Sequence, residues 1–154
     1  MFLFHKKSTI YSPCEGEFKS LNEVKDEVFS KELMGKGFAV VPTNGDIHSP
    51  VDGKVTMVFP TKHAIGITDK NNIEYILHIG IDTVQLKGTG FQTCVHEGDS
   101  VKAGDLLVNC DLAMLKQAGY QTDVLVIVTN HKDVRIKQAG NLKVKDEIAY
   151  CENI

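Results

Sequence analysis

The sequence predicts an all-β fold, an antiparallel β-sandwich with barrel character and one or two short helical turns. Three observations predict it. Short apolar stretches dense in Val, Ile and Phe recur along the chain, turn residues separate them, and two kinds of turn motif each occur twice. The first motif is S-P-x-x-G. Ser12-Pro13-Cys14-Glu15-Gly16 is echoed by Ser49-Pro50-Val51-Asp52-Gly53, where proline opens an extended segment and glycine permits the tight turn. The second is the pair of Gly-Asp turns in the run from His96 to Leu107, with apolar residues between them, as expected where strands pass from one layer to another.

Taken in order, the first element is a helical turn. Asn22 to Phe29 carries Glu23, Asp26 and Glu27 near its start, where carboxylates favour a helix N-terminus. Strands are expected at Phe38 to Val41, Gly53 to Phe59, Ala64 to Thr68, Ile73 to Ile79, Leu106 to Cys110 and Val124 to Thr129. Pro42, Asn44-Gly45, Asp69-Lys70-Asn71-Asn72 and Gly119 supply the breaks between them. A second helical turn is predicted over Asp111 to Ala118, with Asp111 as its N-cap. No Pro/Ser-rich linker interrupts the 154 residues, so residues 1–154 read as one domain, with residues 1–10 as a flexible N-terminal segment.

Composition narrows the function classes. Lys plus Arg number 17 against 20 Asp plus Glu, a formal charge of −3, which argues against nucleic acid as a partner. The longest aliphatic stretch, Val124 to Val128, falls far short of the ~20 residues of a membrane-spanning helix. Met1-Phe2-Leu3-Phe4 meets His5-Lys6-Lys7 too soon to form the apolar region of a secretory signal, so a cytoplasmic location is expected. Cys14, Cys94, Cys110 and Cys151 form no C-x-x-C pair and read as ordinary thiols.

Of the six histidines, His5, His48, His96 and His131 need no functional account. His78 differs in context, because it ends an apolar strand and is followed by Ile79-Gly80-Ile81-Asp82, whose glycine leaves the backbone beside the ring open. His63 stands 15 residues earlier, and the Asp69 to Asn72 turn folds the two strands into a hairpin that can bring both rings to one face. Imidazole suits phosphoryl carriage, being neutral and nucleophilic near pH 7 when one nitrogen keeps its proton and the other attacks. Spacing alone leaves a structural pair and a metal-binding pair open beside that reading.

Longer motifs reach further. His78-Ile79-Gly80-Ile81-Asp82-Thr83-Val84-Gln85-Leu86-Lys87-Gly88, then Phe91 and the E-G-D-S-V-K-A-G-D run of Glu97 to Asp105, resemble the glucose-type enzyme IIA of the phosphoenolpyruvate-dependent sugar phosphotransferase system. The likeness continues through Asp26-Glu27-Val28-Phe29, Gly35-x-Gly37-x-Ala39, Pro42, Ser49 to Gly53, Thr61-x-His63 and Asp111-Leu112, covering nearly the whole chain with an enzyme IIA core at residues 27–131. The resemblance implies a phosphotransferase that receives a phosphoryl group from the histidine-containing phosphocarrier protein and passes it to a cysteine of an enzyme IIB domain of a sugar permease. It implies phosphorylation of His78 on Nε2, with His63 steadying the phosphoryl group and Thr61 orienting His63. Val28, Phe29, Leu33, Met34, Phe59 and Ile79 would ring a shallow docking site, and Asp26 and Asp82 would meet basic side chains of the phosphocarrier. A shallow face used by successive partners implies a monomer. The chain departs from the family at Ile79, where an aromatic residue is common, and at Pro60 and Lys62 beside Thr61.

Two rivals follow from the same residues. His63, His78 and Asp82 supply the three ligands of a zinc hydrolase, although the H-x-H element of sandwich-type zinc peptidases is missing. Zinc bridging His63 and His78 alone is compatible with the phosphocarrier reading, which requires no cofactor. A lipoyl or biotinyl carrier domain would share the turn motifs and place Lys70 at a hairpin tip, but Asp69, Asn71 and Asn72 are the wrong neighbours for such a modified lysine.

Overall fold

The computed structural model describes residues 6–152 and 154. In chain order its elements are β1 (Ser8–Tyr11), β2 (Gly16–Lys19), α1 (Glu27–Ser30), β3 (Lys36–Pro42), β4 (Asp46–His48), β5 (Gly53–Val58), β6 (Ala64–Asp69), β7 (Glu74–Ile79), β8 (Phe91–Thr93), β9 (Ser100–Val101), β10 (Leu106–Cys110), α2 (Leu112–Gln117), β11 (Val124–Val128), β12 (Val134–Ile136), β13 (Asn141–Leu142) and β14 (Glu147–Cys151). Tight 3-10 turns occupy Leu21–Glu23 and Thr83–Leu86.

The strands form an eight-stranded sheet, ordered β13-β2-β3-β11-β7-β6-β5-β9, and two three-stranded sheets, β1-β14-β12 and β4-β10-β8. All pairings among the described residues are antiparallel, and none of the sheets closes on itself into a barrel. The main core lies on one face of the large sheet, where Phe38, Val40, Val124, Val126, Leu77, Ile79 and Ile65 pack with Ile10, Ile148 and Cys151 of one small sheet and Ile47, Leu107 and Val108 of the other. Strand alternation sends the intervening residues outward. On that outer face a second, smaller core unites Ala39, Leu125 and Ile127 with Leu21, Val24, Phe29 and Ile81. Residues 20–34 thus form a strap across the outer face of the sheet.

The repeated S-P-x-x-G motifs make the same turn twice, since Ser12 Oγ donates to the Cys14 carbonyl (2.7 Å) and Ser49 Oγ to the Val51 carbonyl (2.6 Å). Two expectations need correction. The flexible N-terminal segment does not reach residue 10, because Ser8, Thr9 and Ile10 pair with Cys151, Tyr150 and Ala149 and Ile10 is fully buried; residues 1–5 lie outside the described residues. The helical turn of Asn22 to Phe29 is broken, because Val24 and Asp26 are extended and α1 begins only afterwards. Asp26 causes the break: its carboxylate accepts the Val28 N–H at 2.9 Å, which makes it an N-cap and not an interior helical residue.

Candidate active site

Strand register determines where His78 points. It lies on β7 opposite Leu125 of β11 and Ala64 of β6, so its ring shares the outer face with Leu125 and Ala39. The strap lays Phe29 against it, ring centroids 5.0 Å apart. His78 is half-buried, and its Nδ1 is buried without a hydrogen-bond partner among the described residues.

His63 reaches the same spot by a route that the hairpin alone does not provide, because the residue opposite His78 is Ala64. Just before β6 the chain turns tightly through Phe59–His63, with the Lys62 N–H donating to the Phe59 carbonyl (2.8 Å) and Lys62 itself at φ +62°. Released from strand alternation, the His63 ring stands edge-on to His78, centroids 4.9 Å apart and planes at 83°. The Ile79 N–H donates to the His63 carbonyl at 2.8 Å and locks the two segments together. Phe59 packs on the other side of His63 at 5.8 Å, and Thr61 Oγ1 lies 2.7 Å from His63 Nδ1.

Burial depresses both imidazoles, because charging a ring out of water is unfavourable. His78 is held at about 4 by burial and then by His63, with the Gly80 backbone and the Asp26 carboxylate acting against it. His63 is lowered by burial, opposed by the Thr61 backbone. Both rings are therefore neutral near pH 7, the state in which a ring nitrogen is a nucleophile.

The expected docking residues divide. Val28, Leu33 and Met34 are exposed, and Phe59 is half-buried beside His63. Phe29 is buried in the outer core with its ring on His78. Ile79 is a correction. It is 1% exposed and belongs to the main core, because a strand sends His78 and Ile79 to opposite faces. Asp26 stands at the α1 N-cap, close enough for its charge to act on His78, while Asp82 is exposed and opens the Thr83–Leu86 turn at φ +61°. Among the described residues no group of three or more His, Cys, Asp or Glu is placed to hold a metal ion, so the ligand set for zinc on His63, His78 and Asp82 is not assembled and nothing supports zinc at His63 and His78. Sequence reading missed Asp123, whose carbonyl accepts the Gly80 N–H (2.8 Å) and whose carboxylate pairs with Lys19 (2.9 Å). No local pattern could reveal a contact spanning 104 residues.

A half-buried imidazole, neutral near pH 7, thus stands edge-on to a second one on the outer face of an antiparallel sandwich. The family model described as phosphoenolpyruvate-dependent sugar phosphotransferase system, EIIA 1, matches residues 8–134. The glucose-specific EIIA component of Mycoplasma capricolum is 42% identical over 151 residues, covering 97% of this chain and 98% of that protein. The β-glucoside-specific EIIBCA component of Bacillus subtilis is 48% identical over 145 residues, but this chain spans only 24% of its length, and 20% of the glucose-specific EIICBA component of Streptococcus pneumoniae. The solved structure of glucose permease IIA from Mycoplasma capricolum superposes with a TM-score of 0.90 over 97% of this chain and 99% of that one. The chain belongs to the EIIA family of the phosphoenolpyruvate-dependent sugar phosphotransferase system, whose members are phosphotransferase components.

Proposed function

We propose that His78 accepts a phosphoryl group on Nε2 from the histidine-containing phosphocarrier protein and passes it to the cysteine of an enzyme IIB domain during sugar uptake. The observation that supports this most directly is the pair of neutral imidazoles, His78 and His63, with centroids 4.9 Å apart. In loading, the His78 Nε2 lone pair forms a bond to phosphorus as the donor's nitrogen–phosphorus bond breaks and its electron pair returns to the donor ring. Nδ1 keeps its proton throughout. In discharge, the cysteine thiolate of the IIB domain attacks phosphorus and the electron pair of the His78 bond returns to Nε2. Positioning and stabilisation of the phosphoryl oxygens are the main demands of both steps.

His63 meets the second demand. With Thr61 donating its hydroxyl proton to Nδ1, the Nε2 of His63 carries a proton that it can donate to a phosphoryl oxygen. Val28, Leu33, Met34 and Phe59 form the apolar docking face, Phe29 backs the acceptor ring, and Asp26 and Asp82 meet basic side chains of the phosphocarrier, setting orientation and on-rate more than affinity. On this reading the protein works as a monomer in the cytoplasm, requires no cofactor and never touches the sugar, whose identity resides in the membrane partner. Relatives bear the names of both glucose-specific and β-glucoside-specific systems.

The test is intact-mass measurement after incubation with phosphoenolpyruvate, the general phosphotransferase enzyme and the phosphocarrier. The wild-type chain gains one acid-labile phosphoryl group, His78→Ala gains none, and His63→Ala is loaded poorly or cannot discharge to an IIB domain. A His78→Ala protein that still takes up phosphate would refute the assignment.

A further inference from the structure

Lys19 and Asp123 form an ion pair of 2.9 Å that is largely out of water, with 19% and 5% of their side chains exposed. Taking two charges out of water is costly, and an apolar pair of similar volume serves stability as well or better. Stability alone does not account for the pair.

Its location does. Asp123 precedes Leu125 by two residues and so shares the outer face with it, while its carbonyl accepts the N–H of Gly80, two residues beyond His78. Lys19 ends β2 opposite Ala39, and the next residue begins the strap that carries Asp26 and Phe29 to His78. Lys19, Ala39, Leu125 and His78 stand in one cross-strand row. Three strand spacings of ~4.8 Å separate the backbones at the ends of that row by about 14 Å, and the ammonium is held between them by the Asp123 carboxylate.

We propose that the Lys19–Asp123 pair is a positioning device, tying the root of the strap to the turn after His78 so that Phe29 and Asp26 stay fixed against the acceptor ring. This rests on His78 being the phosphoryl acceptor. The two side chains act through others and make no contact with the transferred group.

The test compares wild type with Lys19→Arg, which keeps the pair, Asp123→Asn, which removes one charge, and the double variant Lys19→Met with Asp123→Leu, which removes both and leaves no charge unpaired. Circular dichroism checks that each is folded. In single-turnover loading from the phosphocarrier, the double variant is expected to lose roughly tenfold or more in rate at saturating donor with little change in half-saturation. That lies within the ~100-fold that a misplacement of about 1 Å can cost. The His78 ring, followed by NMR titration, is expected to titrate at higher pH as water enters beside it, and Lys19→Arg is expected to behave as wild type. If the double variant does not fold, Asp123→Asn carries the test with smaller changes in the same directions. A folded variant with wild-type loading and an unchanged His78 titration would overturn the proposal, as would a Lys19→Arg protein as impaired as the double variant. Failure of wild type itself to load on His78 would instead overturn the functional reading, and the titration would still report whether the pair positions the ring.

Discussion

Thr61 Oγ1 lies 2.7 Å from His63 Nδ1, on the side of the ring away from the nitrogen that a phosphoryl group would meet. With the hydroxyl as donor, Nδ1 is the acceptor and the His63 proton sits on Nε2. Thr61→Val keeps the shape and removes the hydroxyl. Since one neutral hydrogen bond contributes about 1 kcal/mol, discharge from His78 to an IIB domain should slow about fivefold, with Thr61→Ser near wild type. Rapid-quench measurement of the discharge step checks this.

Acid should destabilise the fold through His78. The free ring titrates near 6.5, while the folded ring stays neutral down to about 4. Between those values the unfolded chain binds a proton that the folded chain does not, so stability falls as pH drops through that window and is flat on either side of it. At 1.36 kcal/mol per pH unit the loss is at most about 3 kcal/mol, reduced by the ring's partial exposure. His63, also lowered, adds a loss of the same sign. Urea unfolding at pH 7.5 and pH 4.5 should show a smaller drop for His78→Gln than for wild type.

Phe29 and Leu33 should separate packing from docking. Phe29 is 6% exposed in the outer core and Leu33 is 70% exposed. Phe29→Ala is expected to cost about 3 kcal/mol and to raise the pKa of His78 as the ring beside it disappears. Leu33→Asp should leave stability within about 0.5 kcal/mol and raise the half-saturation for the phosphocarrier. Thermal unfolding beside loading kinetics distinguishes the two outcomes.

Gly80 sits at φ +75°, and a Cβ there would meet Thr83 Cγ2 at 2.5 Å and the Gln121 carbonyl oxygen at 3.0 Å. Gly80→Ala should therefore destabilise by about 1–3 kcal/mol. It should also loosen the N–H bond to Asp123, seen as faster hydrogen exchange of the Gly80-position amide relative to wild type.

Much of this was readable from local pattern. The six expected strands lie at or within a few residues of β3, β5, β6, β7, β10 and β11, because apolar density and turn residues act over short range. Asp111 caps α2 through the Met114 N–H, as its position before an apolar stretch suggested. Ile79 could have been assigned to the core from alternation alone, since it follows His78 directly on one strand. The route by which His63 reaches His78 was not legible, because it depends on Lys62 adopting positive φ in a turn with no glycine. Nor was the break at Val24–Asp26, where a side chain competing for backbone amides overrides a helix-compatible stretch. The Lys19–Asp123 pair depends on strand order, which places β2 and β11 on either side of β3.

β7 is an interior strand, flanked by β11 and β6 and pinned at its end by the Ile79 N–H bond to His63. On the proposed function, an acceptor residue on this interior strand cannot travel between its two partners as a swinging arm does. The proposal therefore has both partner proteins come to one stationary residue, each docking after the other has left.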